Sequence, residues 1–301
     1  MNIAAITITY NDDYKFKEWC EHYEVYKDVI KYHVIVDNSS TPEYLAKVKS
    51  YFSNSIIIEN KVNEGCTGAY NKGIAKALEF KDVDSIMLIG NDIRIGSNDI
   101  QKLYEFLFSK ENYGMVSPVL LTPGTNIIEC FGSKLNYLAV DQRPYVGECI
   151  DDNNIPPYRE CEYVTGGMNL SKRAFYEKVG LQDEKLFMYA DELDMYFRSK
   201  KNGFVEAVTK DSVAYHCHIN PNNSNIRRPE MFYLHGRNIV YLYRKHTPRS
   251  WFAKFIIRYT RILLPVILHP FNKEQRVIFK YFSKGFLAGI KGNMDNSFMQ
   301  V

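Results

Sequence analysis

The first hundred residues alternate between short apolar runs and segments with the apolar spacing of a helix, and this alternation limits the possible folds more than any other feature. The predicted strands are Ile3–Thr9, His33–Asp37, Ser55–Glu59 and Ser85–Ile89, and the predicted helices between them are Asp13–Tyr26, Pro42–Phe52 and Gly65–Phe80. Such an alternation builds a mostly parallel sheet covered by helices on both faces. We therefore expect an α/β fold whose ligands bind beyond the carboxyl ends of the strands.

Beyond residue 110 the pattern is less regular. From about Tyr113 to Val164 turn-forming residues are frequent, and they predict excursions from the sheet that shape a binding site. Helices are predicted again at Ser171–Val179, at Asp191–Asn202 and over most of the chain after Pro229, with breaks near Pro248, Pro265 and Pro270. We therefore divide the chain into a sheet domain, 1–243, with halves that meet after residue 110, and a C-terminal helical extension, 244–301.

Charge is distributed unevenly. The formal net charge is +3, but residues 244–301 contain eleven Lys or Arg against two Asp or Glu. Apolar residues recur there at helical spacing with basic residues between them: Trp251, Phe252, Phe255, Ile256, Tyr259, Ile262 and Leu263, with Lys254, Arg258 and Arg261. The pattern predicts an interfacial helix on an anionic membrane, and the alternative is a helix packed on the sheet domain. No nucleic-acid recognition motif accompanies the charge, so we expect no such partner.

The cellular compartment is predicted from what the sequence lacks. The six cysteines form no CxxC pair, which is typical of reduced thiols in the cytoplasm. We recognise no signal peptide, and no apolar run approaches the roughly 20 residues that cross a bilayer. The expectation is a cytoplasmic protein, bound peripherally to the inner face of the cell membrane.

Polar residues follow the first two predicted strands. Thr9, Tyr10 and Asn11 end the first strand, and Asp37 and Asn38 end the second. Asp37 is suited to accept the imide N–H of a uracil or thymine base, and Tyr10 to stack on the base. The alternative is that Asp37 and Asn38 only form a turn and a helix cap.

Small residues at the start of the third helix offer a phosphate or base a close approach to backbone amides. The segment is NEGCTGAYNKG, residues 63–73, and it includes Asn63, Gly65 and Asn71. It is neither GxGxxG nor a GxxxxGK[ST] loop. It therefore supports neither a dinucleotide site nor an ATPase site.

The fourth strand ends in Gly90-Asn91-Asp92, where a carboxylate can hold Mg²⁺ or Mn²⁺ against a diphosphate. His216, after a later strand-like run, is a candidate to complete the metal shell, because imidazole suits Mn²⁺. A structural histidine is the alternative. Asp191, Glu192 and Asp194 place three carboxylates within four positions at a helix start, which is more than capping requires.

Seven segments follow one another along the chain: TYN, VDNSS, NEGCTGAYNKG, GND, TGGMN, GLQDEKLFMYADELD and HGRN. In this order they resemble the inverting family-2 glycosyltransferases of the GT-A fold. The resemblance runs from about Asn2 to about Tyr243. It is strongest to the branch with rhamnosyl- and galactofuranosyltransferases that build surface polysaccharides on lipid carriers, and it does not name the sugar. It implies hexosyl transfer from a UDP- or dTDP-sugar to a saccharide acceptor, in particular a lipid-linked one, with Mn²⁺ or Mg²⁺ as cofactor.

The resemblance also implies roles for individual residues. Nucleotide-sugar binding is assigned to Thr9, Tyr10, Asn11, Asp37, Asn38, Asn63, Gly65, Asn71, Asn91, Asp92, Gly166 and Gly167, and metal binding to Asp92 and His216. The family's usual Glu-Asp base pair is present in swapped order. We assign the base to Glu192, keep Asp191 as the alternative, and expect Asp194 to orient or cap. Arg237-Asn238 matches a recurrent pair to which the sequence gives no role.

One departure keeps other functions open. Gly90 replaces the first acid of the metal-binding DxD motif, which favours a non-catalytic protein that binds sugar nucleotide or membrane as a scaffold. The retained acidic cluster opposes that interpretation. A sugar nucleotidyltransferase shares the α/β layout but carries a glycine-rich loop with a basic residue after the first strand. Here that position is the acidic segment 10–13.

Overall fold

The computed structural model describes residues 1–136, 140–164, 167–217, 229–247 and 249–297. Strands in these residues are Ile3–Thr9 (β1), Tyr32–Asp37 (β2), Ile56–Glu59 (β3), Ser85–Ile89 (β4), Ile93–Ile95 (β5), Tyr113–Leu121 (β6), Ile128–Cys130 (β7), Lys134–Asn136 (β8), Val140–Gln142 (β9), Tyr158–Cys161 (β10), Met168–Lys172 (β11) and Val205–His216 (β12). Helices are Phe16–Tyr26 (α1), Pro42–Tyr51 (α2), Gly65–Glu79 (α3), Ser97–Phe108 (α4), Arg173–Val179 (α5), Asp191–Lys201 (α6), Pro229–His246 (α7), Trp251–Leu268 (α8) and Lys273–Lys291 (α9).

One large mixed sheet organises the molecule, in the order β10-β12-β6-β11-β4-β1-β2-β3. Strands β3, β2, β1 and β4 run parallel, as the sequence predicts, and β1 and β4 have the predicted bounds. Strand β11 is antiparallel to β4 and to β6. The expected α/β architecture, with helices on both faces and a C-terminal helical part, is confirmed.

Alternate residues of β1 enter two different cores. Ile6 packs with Val36 and with α3, whereas Ile3 and Ala5 join the core under α4. Burial on both faces explains why the strand is mostly apolar rather than alternating. Helix α3 lies so close to β1 that a side chain at Gly73 would collide with Ile6. This close contact fixes the start of α3 beside the carboxyl end of β1.

The expectation of irregular structure from Tyr113 onward is wrong for β6, a nine-residue strand buried along its whole length. Pro118 argues against a central strand in the sequence, because proline removes a ladder hydrogen bond and is rare in central strands. The position tolerates proline because β11 pairs with β6 only at Met115 and Val116. On the other side, the pairing with β12 shifts register just after Pro118.

The C-terminal helices pack on one another. Side chains at Gly236 of α7 or Gly285 of α9 would collide with backbone of the facing helix, so the two backbones cross in close contact. The boundary after Tyr243 falls inside α7. The predicted break near Pro265 is wrong, because Pro265 lies inside α8, whereas α8 does end before Pro270. Pro248 lies outside the described residues.

Candidate active site

Polar segments from several strands meet at one edge of the sheet. Parallel β1, β2 and β4 all end there, and the antiparallel β11 begins there. The Gly90 N–H donates to the Gly167 carbonyl at 2.7 Å, and β12 reaches the same place because His216 pairs with Ile93. Gly167 has φ +110, and a side chain there would approach Ile93 and His216. Gly166 lies outside the described residues.

Asp92 lies at the centre of this edge, between a cation and a histidine. The Lys15 ammonium is 3.3 Å from Asp92 Oδ2, and His216 Nε2 is 3.6 Å from Asp92 Oδ1. The other imidazole nitrogen, Nδ1, is 3.4 Å from Glu129 Oε1. The structure therefore brings together the two predicted metal ligands, and it adds Lys15 and Glu129, which sequence reasoning missed.

The donor set suits a divalent cation only if a ligand completes it. In the part of the chain that the structure describes, no three His, Cys, Asp or Glu side chains are grouped to hold an ion by themselves. Asp92 and His216 offer one oxygen and one nitrogen, and Mg²⁺ in nucleotide enzymes takes one or two carboxylates plus substrate phosphates. Glu129 behind the imidazole is the carboxylate partner that metal-bound histidines usually have. The residues present fit Mn²⁺ or Mg²⁺ bound together with a diphosphate.

A buried hydrogen-bond network supports the Asp92 segment from below. Asn91 Nδ2 donates to Asp12 Oδ2 at 2.7 Å, and the Thr9 hydroxyl donates to the same oxygen at 3.2 Å. Thr9 also shares a 2.6 Å hydrogen bond with the Tyr44 hydroxyl. These contacts join the ends of β1 and β4. Thr9 and Asn91 therefore fix the shape of the site, and their side chains do not line its exposed surface.

Asp37 and Tyr10 lie at the neighbouring strand ends. Asp37 is buried; its Oδ2 accepts the Ser40 N–H at 3.1 Å, and its Oδ1 has no hydrogen-bond partner among the described residues. Tyr10 is 38% exposed. An unpaired buried carboxylate oxygen is costly, so it marks a place where a ligand N–H would be stabilising. Asn11 instead accepts the Thr41 N–H and holds the start of α2.

Three further predicted asparagines, Asn38, Asn63 and Asn71, use their amides within the protein. Asn38 Nδ2 donates to Asn63 Oδ1 and to the Gly65 carbonyl, and Asn38 Oδ1 accepts the Glu64 N–H. Asn71 donates to the Gln182 carbonyl and accepts the Gln182 N–H. Their groups are occupied, so these side chains fix the loops around the site. No pattern in the sequence separates this role from ligand contact.

The acidic cluster divides into one fully buried structural acid and one half-buried pair. Asp194 is 0% exposed and contacts Arg198, Lys245 and His246 at 2.7–2.8 Å. Burial alone would raise the pKa of Asp194, but His246, Lys245 and Arg198 hold it well below its ordinary range. Capping does not explain Asp191 and Glu192, because Ala190 occupies the N-cap of α6 and no side chain caps the helix.

Asp191 and Glu192 are half-buried in the first turn of α6. Burial raises the pKa of Asp191 well above its ordinary range, and the charge of Glu192 and a hydrogen bond with it raise this pKa further. Two adjacent carboxyls that disfavour double ionisation share one proton. The raised pKa therefore favours the protonated form of Asp191.

Tyr70 of α3 connects the two groups of carboxylates. Burial raises the pKa of the Tyr70 hydroxyl well above its ordinary range, and Asp92 and Asp191 are both near enough to raise it further. Burial likewise raises the pKa of Cys66, one turn earlier on α3, to about 12, with contributions from Asp191 and Glu192. Asp92 at the sheet edge and the Asp191–Glu192 pair on α6 thus both lie within electrostatic range of α3.

The fold of the chain is found in solved glycosyltransferase structures. The chain superposes on GalNAc-T7 with UDP, GalNAc and Mn²⁺ (TM-score 0.61, 13% identity, 94% of this chain and 55% of that one). It also superposes on S. aureus TarS 1-349 with UDP-GlcNAc (0.59, 15%, 98% and 89%). A third is the Pyrobaculum calidifontis mannosyltransferase PcManGT with GDP-Man and Mn²⁺ (0.57, 12%, 98% and 88%). The fold is therefore that of the GT-A glycosyltransferases.

Sequence comparison gives the family. The family model described as glycosyl transferase family 2 matches residues 7–179, and the chain belongs to this family. It is similar to the low-salt glycan biosynthesis hexosyltransferase of Haloferax volcanii, with 25% identity over 172 residues, 56% of this chain. The matched region spans about half the length of that relative, 53%.

Proposed function

We propose that this chain is an inverting glycosyltransferase that moves a hexosyl group from a UDP- or dTDP-sugar to a saccharide acceptor. The observation that carries the proposal is that Asp92 and the Asp191–Glu192 pair both lie near α3, at Tyr70 and Cys66. One carboxylate stands where a diphosphate leaves, and the pair stands where an acceptor hydroxyl loses its proton. Family membership and the UDP-sugar and Mn²⁺ in the neighbouring structures support the same activity.

At the donor side, Asp92 and His216 would hold Mn²⁺ or Mg²⁺. When bound, the cation neutralises the negative charge that builds on the departing diphosphate. Glu129 orients the imidazole through Nδ1 and keeps Nε2 directed at Asp92. Lys15 adds a positive charge at the same place, which offsets part of the negative charge of the diphosphate.

The nucleoside is held one strand further along the edge. Asp37 Oδ1 accepts the imide N–H of uracil or thymine, and the exposed Tyr10 ring stacks on or near the base. Asn38, Asn63 and Asn71 fix the surrounding loops through their hydrogen bonds to the protein. Gly167 leaves the space that the sugar phosphate needs beside His216.

At the acceptor side, Glu192 is the general base. It takes the proton of the acceptor hydroxyl while that oxygen attacks the anomeric carbon from the face opposite the diphosphate, and the configuration inverts. Asp191 holds the shared proton and directs the Glu192 carboxylate through their hydrogen bond. Asp194 anchors α6 through Arg198, Lys245 and His246.

The acceptor we propose is a lipid-linked saccharide in surface polysaccharide synthesis, reached from the inner face of the membrane. Helix α8 leaves large apolar side chains exposed, namely Phe252, Ile256, Ile257, Leu264, Ile267 and Leu268, with Phe271 just after it. Exposed basic residues of α9, such as Lys280 and Lys284, lie on the adjoining helix. Apolar residues with cations beside them suit an anionic lipid surface. Among the described helices none is both long and apolar enough to cross a bilayer.

The proposed organisation assigns 1–110 to the nucleotide and 111–243 to the acceptor, with the basic part from residue 244 on the membrane. A donor panel tests the activity. UDP-, dTDP- and GDP-sugars are screened by thermal shift with Mn²⁺, and stabilising donors are then assayed for nucleoside diphosphate release with lipid-linked saccharides. Metal-dependent release with one of the first two classes supports the proposal. Binding without release for every acceptor would favour the scaffold function instead.

A further inference from the structure

The loop that leads into α6 has an unusual backbone. Three of its residues that are not glycine have positive φ: Phe187 at +64, Tyr189 at +66 and Ala190 at +68. Side chains, and aromatic ones in particular, disfavour this region. Such conformations persist only where surrounding contacts enforce them. Because the loop ends at Asp191, its backbone sets the direction of the first turn of α6.

The contacts that enforce this backbone are hydrogen bonds to the loop carbonyls. Every carbonyl from residue 184 to residue 190 accepts a hydrogen bond. Side chains donate to five of these carbonyls: Asn296 Nδ2 to that of Glu184 (3.3 Å), Arg237 Nη2 to those of Lys185 (3.2 Å) and Leu186 (3.3 Å), and Asn238 Nδ2 to those of Met188 (2.9 Å) and Tyr189 (3.0 Å). The other two accept backbone N–H groups, the Phe187 carbonyl from Thr67 (3.1 Å) and the Ala190 carbonyl from Asp194 (3.1 Å). Most of these donors are side chains of α7 or of the C-terminal segment. The loop is therefore shaped from outside.

Arg237 and Asn238 act as one buried unit. Both are fully buried, and Arg237 Nε donates to Asn238 Oδ1 at 3.0 Å. Arg237 Nη1 donates to Asn296 Oδ1 at 2.8 Å and to the Asp295 carbonyl at 3.0 Å. The planar guanidinium thus joins the loop to the segment after α9. A buried cation with so many hydrogen bonds to uncharged acceptors is expensive unless its geometry is needed.

We infer that Arg237, Asn238 and Asn296 are positioning residues that hold the loop 184–190 and thereby direct the Asp191 and Glu192 carboxyl groups toward the acceptor. The inference rests on the proposed function, because it takes these carboxyls as the base pair. It gives the recurrent Arg-Asn pair a role. It also makes the end of the C-terminal part a component of the active site, since Asn296 lies beyond α9.

Asn296→Ala tests the inference, because Asn296 is half-buried and its loss leaves the core intact. The matched control is Asn293→Ala in the same segment, whose side chain accepts the Asp295 N–H. Hydrogen exchange of amides in the loop and the first turn of α6 is measured in both variants. Loss of the Asn296 contacts is expected to speed exchange there about 3- to 10-fold, with β1 and β4 unchanged. Exchange equal to that of the control overturns the inference, whether or not a donor sugar has been found.

Kinetics with the donor from the panel give the second readout. Asn296→Ala is expected to lower kcat by about 10- to 10²-fold, because small misplacement of a base is costly, while donor KM and the affinity for UDP with Mn²⁺ stay unchanged. Arg237→Lys, which keeps the charge but not the five-donor fork, is expected to show the same split if it folds. Faster loop exchange with a normal kcat would overturn the positioning role while leaving the proposed function intact. Absence of turnover in the unsubstituted chain would instead count against the proposed function.

Discussion

His216 Nε2 lies 3.6 Å from Asp92 Oδ1, although the two residues come from different halves of the sheet domain. The contact forms because β12 pairs with β5, the short strand just after Asp92. Gly90 leaves no second acid on the β4 segment, so this carboxylate and imidazole are the pair on which we propose that binding of the metal and its diphosphate depends.

The first prediction concerns Asp92. Asp92→Asn removes the one charged ligand, so turnover is expected to fall by at least about 10²-fold, as for the loss of other groups that stabilise developing charge. Calorimetry of UDP binding with and without Mn²⁺ is expected to show that the metal no longer strengthens binding. Asp28→Asn, at an exposed position, is the control. Undiminished turnover of Asp92→Asn in excess chelator would contradict the role.

The second prediction concerns Lys15, which competes with a cation for Asp92. Its ammonium is 3.3 Å from Asp92 and 3.5 Å from Asp12. Lys15→Met frees both carboxylates, so the affinity for Mn²⁺ without nucleotide is expected to rise, by about tenfold for each 1.4 kcal/mol of repulsion removed. Turnover is expected to fall, because a positive charge near the diphosphate is lost. Weaker metal binding in the variant would show that Lys15 holds Asp92 in place instead.

The third prediction concerns the membrane. Replacing Phe252, Ile256 and Leu264 by Ser removes exposed apolar area from α8 without touching Tyr259 and Ile262, which pack inward. Flotation with vesicles that contain anionic lipid is expected to show at least about tenfold weaker binding. Val25→Ser, at an exposed apolar position on α1, is the matched control. Truncation after Tyr243 is a poor test, because it cuts α7 and removes Asn296.

The fourth prediction is a pH dependence of stability. Burial raises the pKa of Glu206 from 4.5 to about 8. The native state therefore keeps this proton where the unfolded chain has lost it, and stability falls as the pH rises from 4.5 to 8, by up to about 1.4 kcal/mol per unit. Below pH 4.5 the group contributes nothing. In Glu206→Gln the decline of Tm between pH 5 and pH 8 is expected to be shallower, and equal slopes would refute the assignment.

The parts of the fold that follow from local pattern could be predicted, and those that depend on distant partners could not. Strands β1 and β4 are mostly apolar, because both faces are covered, and their bounds match the prediction. Strand β6 was missed because Pro118 breaks the pattern, and only the pairing of its neighbours explains why proline fits there.

The site shows the same division. The strand-end motifs point to Asp92 and His216, but Lys15 and Glu129 are isolated charges whose relevance appears only when the strands meet. Asp194 looks like its neighbours in the sequence. Its burial against Lys245 and His246 depends on α7, far along the chain, and no local pattern contains that information.

The fifth prediction tests the central claim, that the Asp191–Glu192 pair deprotonates the acceptor at a site whose donor half is centred on Asp92. The measurement is kcat for nucleoside diphosphate release with the donor and acceptor found by the panel, in Glu192→Gln and in Asp191→Asn. We expect Glu192→Gln to lose about 10²- to 10⁴-fold in kcat with unchanged affinity for UDP and Mn²⁺. Asp191→Asn, which resembles the protonated carboxyl, is expected to keep most of the activity. A nearly normal Glu192→Gln beside an inactive Asp191→Asn would contradict the account and exchange the two roles.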